Sequence, residues 1–347
     1  SAVMQAMRIM GSQYVLGRTI QEGLKQGIKQ NGVNTRFSFD MLGEGARTDA
    51  DALVYYRAYR NAIDQIGAAN QQSPVDINSA DGISVKLSAL HCRYYFSHHQ
   101  SVMEELLPRI KQLCLQAKSY NIGLSIDAEE AFRLEISLDI FEALACDPDL
   151  DGWQGLGFVL QAYQKRAPDT AKWLIALAQK TNRRIMVRLV KGAYWDAEIK
   201  HAQELGLEGY PVFTRKANTD LCYQHCAELL LGGGDSIFAQ FATHNAYTAI
   251  MILELAGDQE FEFQRLHGMG HGLYKELKKQ ATGRQIPVRI YAPIGNHRDL
   301  LPYLVRRLLE NGANSSFVNR FLDKKTPVDE LVCDTRKEVM QAVPYQH

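Results

Sequence analysis

The sequence predicts an α/β protein: a distorted (β/α)8 barrel of the TIM type, entered through an N-terminal helical arm and closed by a last helix over the barrel mouth. Three observations carry that expectation. From Phe37 onward, eight short strand-like runs alternate with segments of helical apolar spacing. These β-then-α units fill residues 37–312, about the length such a barrel needs. The strands also share a parity, with one face apolar and the other carrying a polar or charged group near the C-terminal end.

Residues 1–34 mix polar and apolar positions without strand signals and read as one or two helices. The strand runs then follow: "FSFDML" (37–42), "GISVKLSAL" (82–90), "GLSIDAE" (123–129), "GFVLQAY" (157–163), "RIMVRLV" (184–190), "SIFAQFATHN" (236–245), "FEFQRLHG" (261–268) and "PVRIYAPIG" (287–295). Segments such as "DADALVYYRAYRNAIDQIG" and "SVMEELLPRIKQLCLQAKSY" between them have helical spacing. A doubly wound sheet is the alternative, but "MLGEGART" is a poor copy of its glycine-rich turn. The last helix is "YLVRRLLENG" (303–312), where Leu301, Leu304, Val305 and Leu308 make an apolar stripe. Tyr303, Arg306, Arg307 and Glu310 fall on the other face, and Gly312 is the stop.

Composition excludes several classes. Lys+Arg and Asp+Glu both number 39, so the chain lacks the basic excess of a nucleic-acid binder. No apolar run approaches the roughly 20 residues that cross a bilayer. The six cysteines contain no CxxC, and Cys222 and Cys226 have no second ligand pair at zinc spacing, so they read as reduced thiols.

The parity carries the chemistry. Ile83, Val85 and Leu87 oppose Ser84, Lys86 and Ser88; Leu124 and Ile126 oppose Ser125 and Asp127. In a barrel, Lys86, Asp127, Gln161, Arg188, Gln240, Gln264 and Tyr291 then converge at the top, where barrel enzymes keep their sites. Burying so many polar groups around one axis costs too much without a polar ligand. Lys86 could be a Schiff-base nucleophile or the partner of Asp127, and the sequence leaves both open. "RLVKGAYWDAEIK" (188–200) places Gly192, Tyr194 and Trp195 beside Arg188 and suits a large planar ligand with a phosphate tail. Thr214, Arg215 and Lys216 open a helix and offer a phosphate site. "ATHNAYT" ends the sixth strand with Thr243, His244 and Asn245, without a second histidine at metal spacing. "HGMGHG" (267–272) is glycine-rich but is a weak dinucleotide fingerprint.

"DMLGE", "ISVKLSALH", "IDAEE", "VLQAYQKR", "VRLVKGAYWD", "TRKANTD", "ATHNA", "YAPIG" and "YLVRRLLENGANSSFVNR", in this order, resemble the proline dehydrogenase domain of the bifunctional bacterial flavoenzyme proline utilization A. The likeness runs from about residue 5 to about 323, and the chain resembles an excised catalytic domain without the aldehyde dehydrogenase domain of that protein. The resemblance implies an arm over 1–34, a barrel over 35–325 and a tail over 326–347. It implies FAD, oxidation of L-proline to Δ1-pyrroline-5-carboxylate, and electrons passed to a ubiquinone-type acceptor. It also implies a cytoplasmic protein peripheral to the bacterial inner membrane in its full-length form.

By position, the resemblance gives Arg306, Arg307 and Lys86 the substrate carboxylate, and has Tyr291, Tyr303 and Leu266 enclose the ring. Glu310 holds the arginines, and Glu44 gates the pocket. Asp127 and Ala128 lie near proline and flavin, with Arg188 at the reactive flavin nitrogen. Gln161, Gln264, Leu266, Thr243, His244 and Asn245 lie around the flavin, as do Arg307 and Glu310. Val190, Lys191, Gly192, Ala193, Tyr194, Trp195, Phe213, Thr214, Arg215, Lys216 and Phe317 hold its tail. The substrate amine must lose its proton before a hydride leaves, with Asp127 and a water as the two candidates to take it.

Overall fold

Alternating polarity becomes a closed wall of eight parallel strands in sequence order. They are β1 (Arg36–Met41), β2 (Gly82–Val85), β3 (Leu124–Ile126), β4 (Leu156–Gln161), β5 (Ile185–Val190), β6 (Ile237–Ala242), β7 (Phe261–Leu266) and β8 (Val288–Ile294). The barrel closes where β1 pairs with β8, from Arg36 opposite Arg289 to Met41 opposite Ile294. The computed structural model describes residues 11, 13–31, 35–72, 76–280, 285–295, 303–306 and 335–341.

Helices α1 (Ile20–Asn31), α2 (Asp49–Gln71), α3 (His99–Ser119), α4 (Leu134–Ala145), α5 (Ala167–Lys180), α6 (Trp195–Glu204), α7 (Lys216–Gly232), α8 (Ala246–Ala256) and α9 (His271–Gln280) accompany the strands. The outward face of the barrel is Phe39, Val85, Leu124, Ile126, Phe158, Leu160, Val187, Leu189, Phe241, Phe263 and Ile290, all buried in one apolar core with the helices. Each such side chain contributes about 1.5–3 kcal/mol on burial, so parity rather than helix propensity sets the register. A reciprocal capping box starts α2: Asp51 N–H donates to Thr48 Oγ1 at 3.1 Å, and Thr48 N–H to Asp51 Oδ2 at 3.0 Å.

The strands β2 and β3 are shorter than the runs 82–90 and 123–129. Beyond Lys86 the chain turns into a 3-10 turn at Leu87–Ala89, which leaves Lys86 at the strand's upper end. The N-terminal arm also departs from the all-helical expectation. Gly17 bridges Ile294, and Leu16 N–H donates to the Pro293 carbonyl at 3.0 Å, so the arm is laced to the top of β8. Within 326–347, a helix α10 (Thr335–Gln341) contacts α7 through Arg336 and Glu228 at 3.4 Å.

Residues 303–306 are helical, as expected, but their faces differ from the stripe drawn on sequence. Tyr303 is buried with Leu304 against Leu42, just past β1, whereas Val305 is exposed. The helix turns its Tyr303 and Arg306 side toward the barrel mouth, which buries a face that contains polar groups.

Gly67 in α2 is where Tyr120 packs: a Cβ there would lie 2.2 Å from Tyr120 Cγ. Gly67→Ala should therefore destabilise by about 1–3 kcal/mol, where an unobstructed helix site would gain about 1. Urea unfolding checks the sign. His267, just past β7, is buried, and burial followed by the charge of Arg265 lowers its pKa to about 4. Between about pH 4 and 6.5 its neutral form is favoured only when folded. The associated stability is therefore full above the unfolded value of about 6.5 and falls as pH drops toward 4, by about 3 kcal/mol at most. The urea midpoint of His267→Gln should fall less steeply over that window than that of the parent; parallel slopes would refute the assignment.

Candidate active site

The inward side chains of five strands meet in one hydrogen-bonded layer. Asp127, just past β3, is its hub. One carboxylate oxygen accepts from Arg188 Nη1 at 2.8 Å, and the other from Tyr291 OH at 2.7 Å and Lys86 Nζ at 3.2 Å. Arg188 Nη2 reaches Ser38 Oγ at 3.1 Å and Ser84 Oγ at 2.9 Å, and the guanidinium lies 5.1 Å from the Tyr291 ring centre. Lys86 Nζ also meets Asp40 Oδ1 at 2.7 Å and Tyr291 OH at 3.3 Å. Lys86, Asp127 and Arg188 are all at least nine-tenths buried.

This geometry decides between the two readings of Lys86. Burial alone would lower the lysine pKa, but Asp40, Tyr291 and Asp127 outweigh it and hold the value well above the ordinary one. A Schiff-base lysine needs the opposite shift to supply a free amine near neutrality. Lys86 is a fixed cation. Burial likewise raises Tyr291 well above the usual phenol range, so it is a neutral hydroxyl donor.

A second guanidinium sits above this layer. Arg306 makes a two-pronged pair with Glu44, Nη1 to Oε1 at 2.6 Å and Nη2 to Oε2 at 2.8 Å, and lies 5.1 Å from the Tyr194 ring centre. Burial would raise the Glu44 carboxyl, but the hydrogen bonds and charge of Arg306 win and hold it below the usual range. Glu44 was expected to gate the pocket and Glu310 to hold the arginines; here Glu44 takes the guanidinium. Arg307, Glu310 and Phe317 lie outside the described residues.

The predicted flavin-side residues fall into two groups. Gln240 and Gln264, expected to converge at the mouth, are both buried inside the barrel. Both donate to Glu262 Oε1, at 2.9 and 2.8 Å, where Arg289 Nε also donates at 2.7 Å. Burying Glu262 requires those donors, which occupy the amide nitrogens of both glutamines and leave their oxygens open. Gln161 donates to the Glu129 carbonyl at 3.1 Å. Thr243 and Asn245 shape the turn into α8: Thr243 Oγ1 accepts from Asn245 N–H at 3.1 Å, and Asn245 caps the helix by accepting from Thr248 N–H at 3.0 Å. His244 Nε2 accepts from Leu266 N–H at 3.1 Å, leaving the ring proton on Nδ1.

The second group forms a cradle. Trp195 Nε1 donates to the Phe213 carbonyl at 2.9 Å, tying the loop after β5 to the segment before α7. Lys191 and Lys216 both pair with Asp220, whose carboxyl they hold low against burial. Arg215 caps α7, and Thr214 beside it is exposed. At Gly192, φ is +130° and a Cβ would lie 2.5 Å from the Tyr163 ring, so only glycine suits the loop. Arg188 Nε, Gln240 Oε1 and Gln264 Oε1 are buried and take no protein partner. Buried polar atoms of that kind fit a planar ligand with hydrogen-bonding edges, and the start of α7 with Arg215 and Lys216 fits its phosphates.

Two residues of the interior escaped the reading of the sequence, Asp40 and Glu262, and Arg289 was placed on the inward parity without a role. The signal for Asp40 was present in "FSFDML", where Ser38 and Asp40 alternate with Phe37 and Phe39 as in the other strands. Glu262 and Arg289 likewise share the inward parity of Gln264 and Tyr291.

Residues 24–320 match the proline dehydrogenase family. The chain is 56% identical over 335 residues to "Bifunctional protein PutA" of Klebsiella aerogenes, covering 95% of this chain and 25% of that protein. It is 29% identical over 324 residues to "Proline dehydrogenase 1" of Bacillus subtilis (strain 168), covering 92% of each. A solved structure of proline utilization A with proline bound in remote sites superposes with a TM-score of 0.90 at 54% identity, over 98% of this chain and 34% of that one. The Bdellovibrio bacteriovorus protein inactivated by N-propargylglycine superposes at 0.91 with 27% identity, over 99% of this chain and 37% of that one. The chain thus spans about a quarter of the length of the bifunctional relatives it matches.

Proposed function

The chain belongs to the proline dehydrogenase family, and from that premise we propose that its barrel oxidises L-proline to Δ1-pyrroline-5-carboxylate, the first step of proline catabolism. One observation carries the reading: the layer of Lys86, Asp127, Arg188 and Tyr291 lies beneath a rim that holds a second guanidinium, Arg306. Proline brings a carboxylate and a ring amine. Lys86 from below and Arg306 from the rim supply cations for the carboxylate, and Arg307 joins them, with Glu310 steadying the pair. Arg306 must exchange Glu44 for the substrate, which makes Glu44 a gate that opens only to a competing carboxylate.

Tyr291, Tyr303 and Leu266 enclose the ring. The amine must lose its proton before the nitrogen lone pair can expel a hydride from the adjacent carbon, and Asp127 receives that proton directly or through a water. Holding the carbon at near-attack distance, roughly 3–3.5 Å, is the work of the clamp.

FAD fits the cradle described above. Gln161, Arg188, Thr243, His244, Asn245, Gln264 and Ala128 line the place for its ring. Val190 through Trp195 and Phe213 through Lys216 line the place for its tail, to which the resemblance adds Phe317. FAD bound there supplies the two-electron acceptor. Arg188 adds a fixed positive charge beside the ring.

Electron transfer to a ubiquinone-type acceptor, peripheral contact with the bacterial inner membrane from the cytoplasm, and an aldehyde dehydrogenase domain in the longer protein complete the proposal. The bifunctional relatives support the second domain of that proposal. Among the described residues no helix is long and apolar enough to cross a membrane.

The purified chain should show visible flavin absorbance that bleaches when L-proline is added without oxygen. A colourless protein that gains no flavin bands on adding FAD would refute the cofactor. Arg306→Met should raise KM for proline roughly 10- to 100-fold, the cost of a lost charged hydrogen-bond pair. Unchanged steady-state kinetics would remove Arg306 from the carboxylate site.

A further inference from the structure

The acid nearest Lys86 has no role in the proposed reaction. Asp40 Oδ1 lies 2.7 Å from Lys86 Nζ, whereas Asp127 Oδ2 lies 3.2 Å away and also serves Tyr291 and Arg188. Asp40 is 1% exposed, a burial that a carboxylate sustains only with a fixed partner. The register explains the contact. Asp40 stands opposite Ser84, and Lys86 follows two residues later on the same inward face. The lysine thus rises one level above Asp40, level with Asp127, because Ser84 stands opposite Ser125.

The groups facing Lys86 are Asp40 from β1, Tyr59 from α2, Asp127 after β3 and Tyr291 from β8. Arg188 from β5 lies behind Asp127, and Glu44 and Tyr194 lie farther out. Burial raises both Tyr59 and Tyr291, so these phenols are neutral and do not balance charge. Two cations, Lys86 and Arg188, therefore rest on two carboxylates, Asp40 and Asp127. Without Asp40, both cations would share Asp127. The guanidinium keeps its proton under all ordinary conditions, so the ammonium would be the group to lose one. A neutral Lys86 could not attract a substrate carboxylate.

We propose that Asp40 is a positioning residue that holds Lys86 as an ammonium ion pointed at the substrate carboxylate, leaving Asp127 to Arg188 and the substrate amine. The substrate in this statement rests on the proline reading; the hold on Lys86 does not.

The test uses the flavin-loaded protein and the variants Asp40→Asn, Asp40→Glu, Lys86→Met and the double Asp40→Asn/Lys86→Met. In Asp40→Asn the alkaline limb of kcat/KM for L-proline should move down by about one to three pH units. KM should rise more than kcat falls, with the flavin spectrum retained. Asp40→Glu should restore the limb. In the Lys86→Met background, adding Asp40→Asn should leave KM nearly unchanged. A second readout needs no proline: acetylation of Lys86 by acetic anhydride, followed by mass spectrometry against pH, should begin at lower pH in Asp40→Asn than in the parent.

A parent protein that fails to bleach with proline would overturn the proline reading, and the labelling comparison would then decide Asp40 alone. Labelling with the parental pH dependence, or an equal KM cost in both backgrounds, would overturn the proposal. If Asp40→Asn does not fold, a folded double variant supports it, because that variant lacks the orphaned ammonium. A double variant that also fails to fold would leave Asp40 a purely structural acid and overturn it.

Discussion

Charge inside a barrel must be matched, and the matching of Lys86, Arg188, Asp40 and Asp127 constrains most of what surrounds the site. Each is withdrawn from water, where an unpaired ion would cost several kcal/mol. The pairing needs the four side chains on one face at two adjacent levels. Parallel strands with an alternating pleat provide that, and the apolar residues of opposite parity hold the register by burying themselves against the helices. The early ends of β2 and β3 serve the same constraint, since they set Lys86 and Asp127 at the top of their strands, where backbone no longer covers them.

The barrel interior holds two polar networks, one gathered on Glu262 and one on Asp127. In the layer gathered on Glu262, three donors converge on one carboxylate oxygen, and Arg289 goes on to the carbonyls of Phe37, Ala80 and Asn78. In that layer the amide oxygens of Gln240 and Gln264 take no protein partner. The Asp127 layer lies beneath a rim whose arginine is held by an exchangeable acid, Glu44. A carboxylate arriving from solvent meets a cation that can change partners, and beneath it a fixed one.

Much of this was legible in one sequence. Lys86, Asp127, Arg188 and Tyr291 were placed inside by parity alone, and the structure joins them in one network. Asp40 carried the same signal, but a single acid between Phe39 and Met41 reads equally well as a strand-end turn. Gln240 and Gln264 were placed inside by the same parity, but their shared partner Glu262 was not foreseen, because parity gives the face of a side chain and not the group it meets. Val305 and Tyr303 exchanged places for a related reason. An apolar stripe assumes that the buried side of a helix is greasy, and a helix over a polar mouth buries its polar side instead.

The sequence by itself determined the alternation of elements, the inward set of side chains and, through long ordered motifs, the family. These follow from local periodicity and residue identity, which need no partner. Only the tertiary structure decided which acid holds which cation. Asp40 and Lys86 are 46 residues apart, and Glu44 and Arg306 are 262 apart. An ion pair depends on ångström-scale distance, which closure and stagger of the barrel set and no local pattern encodes.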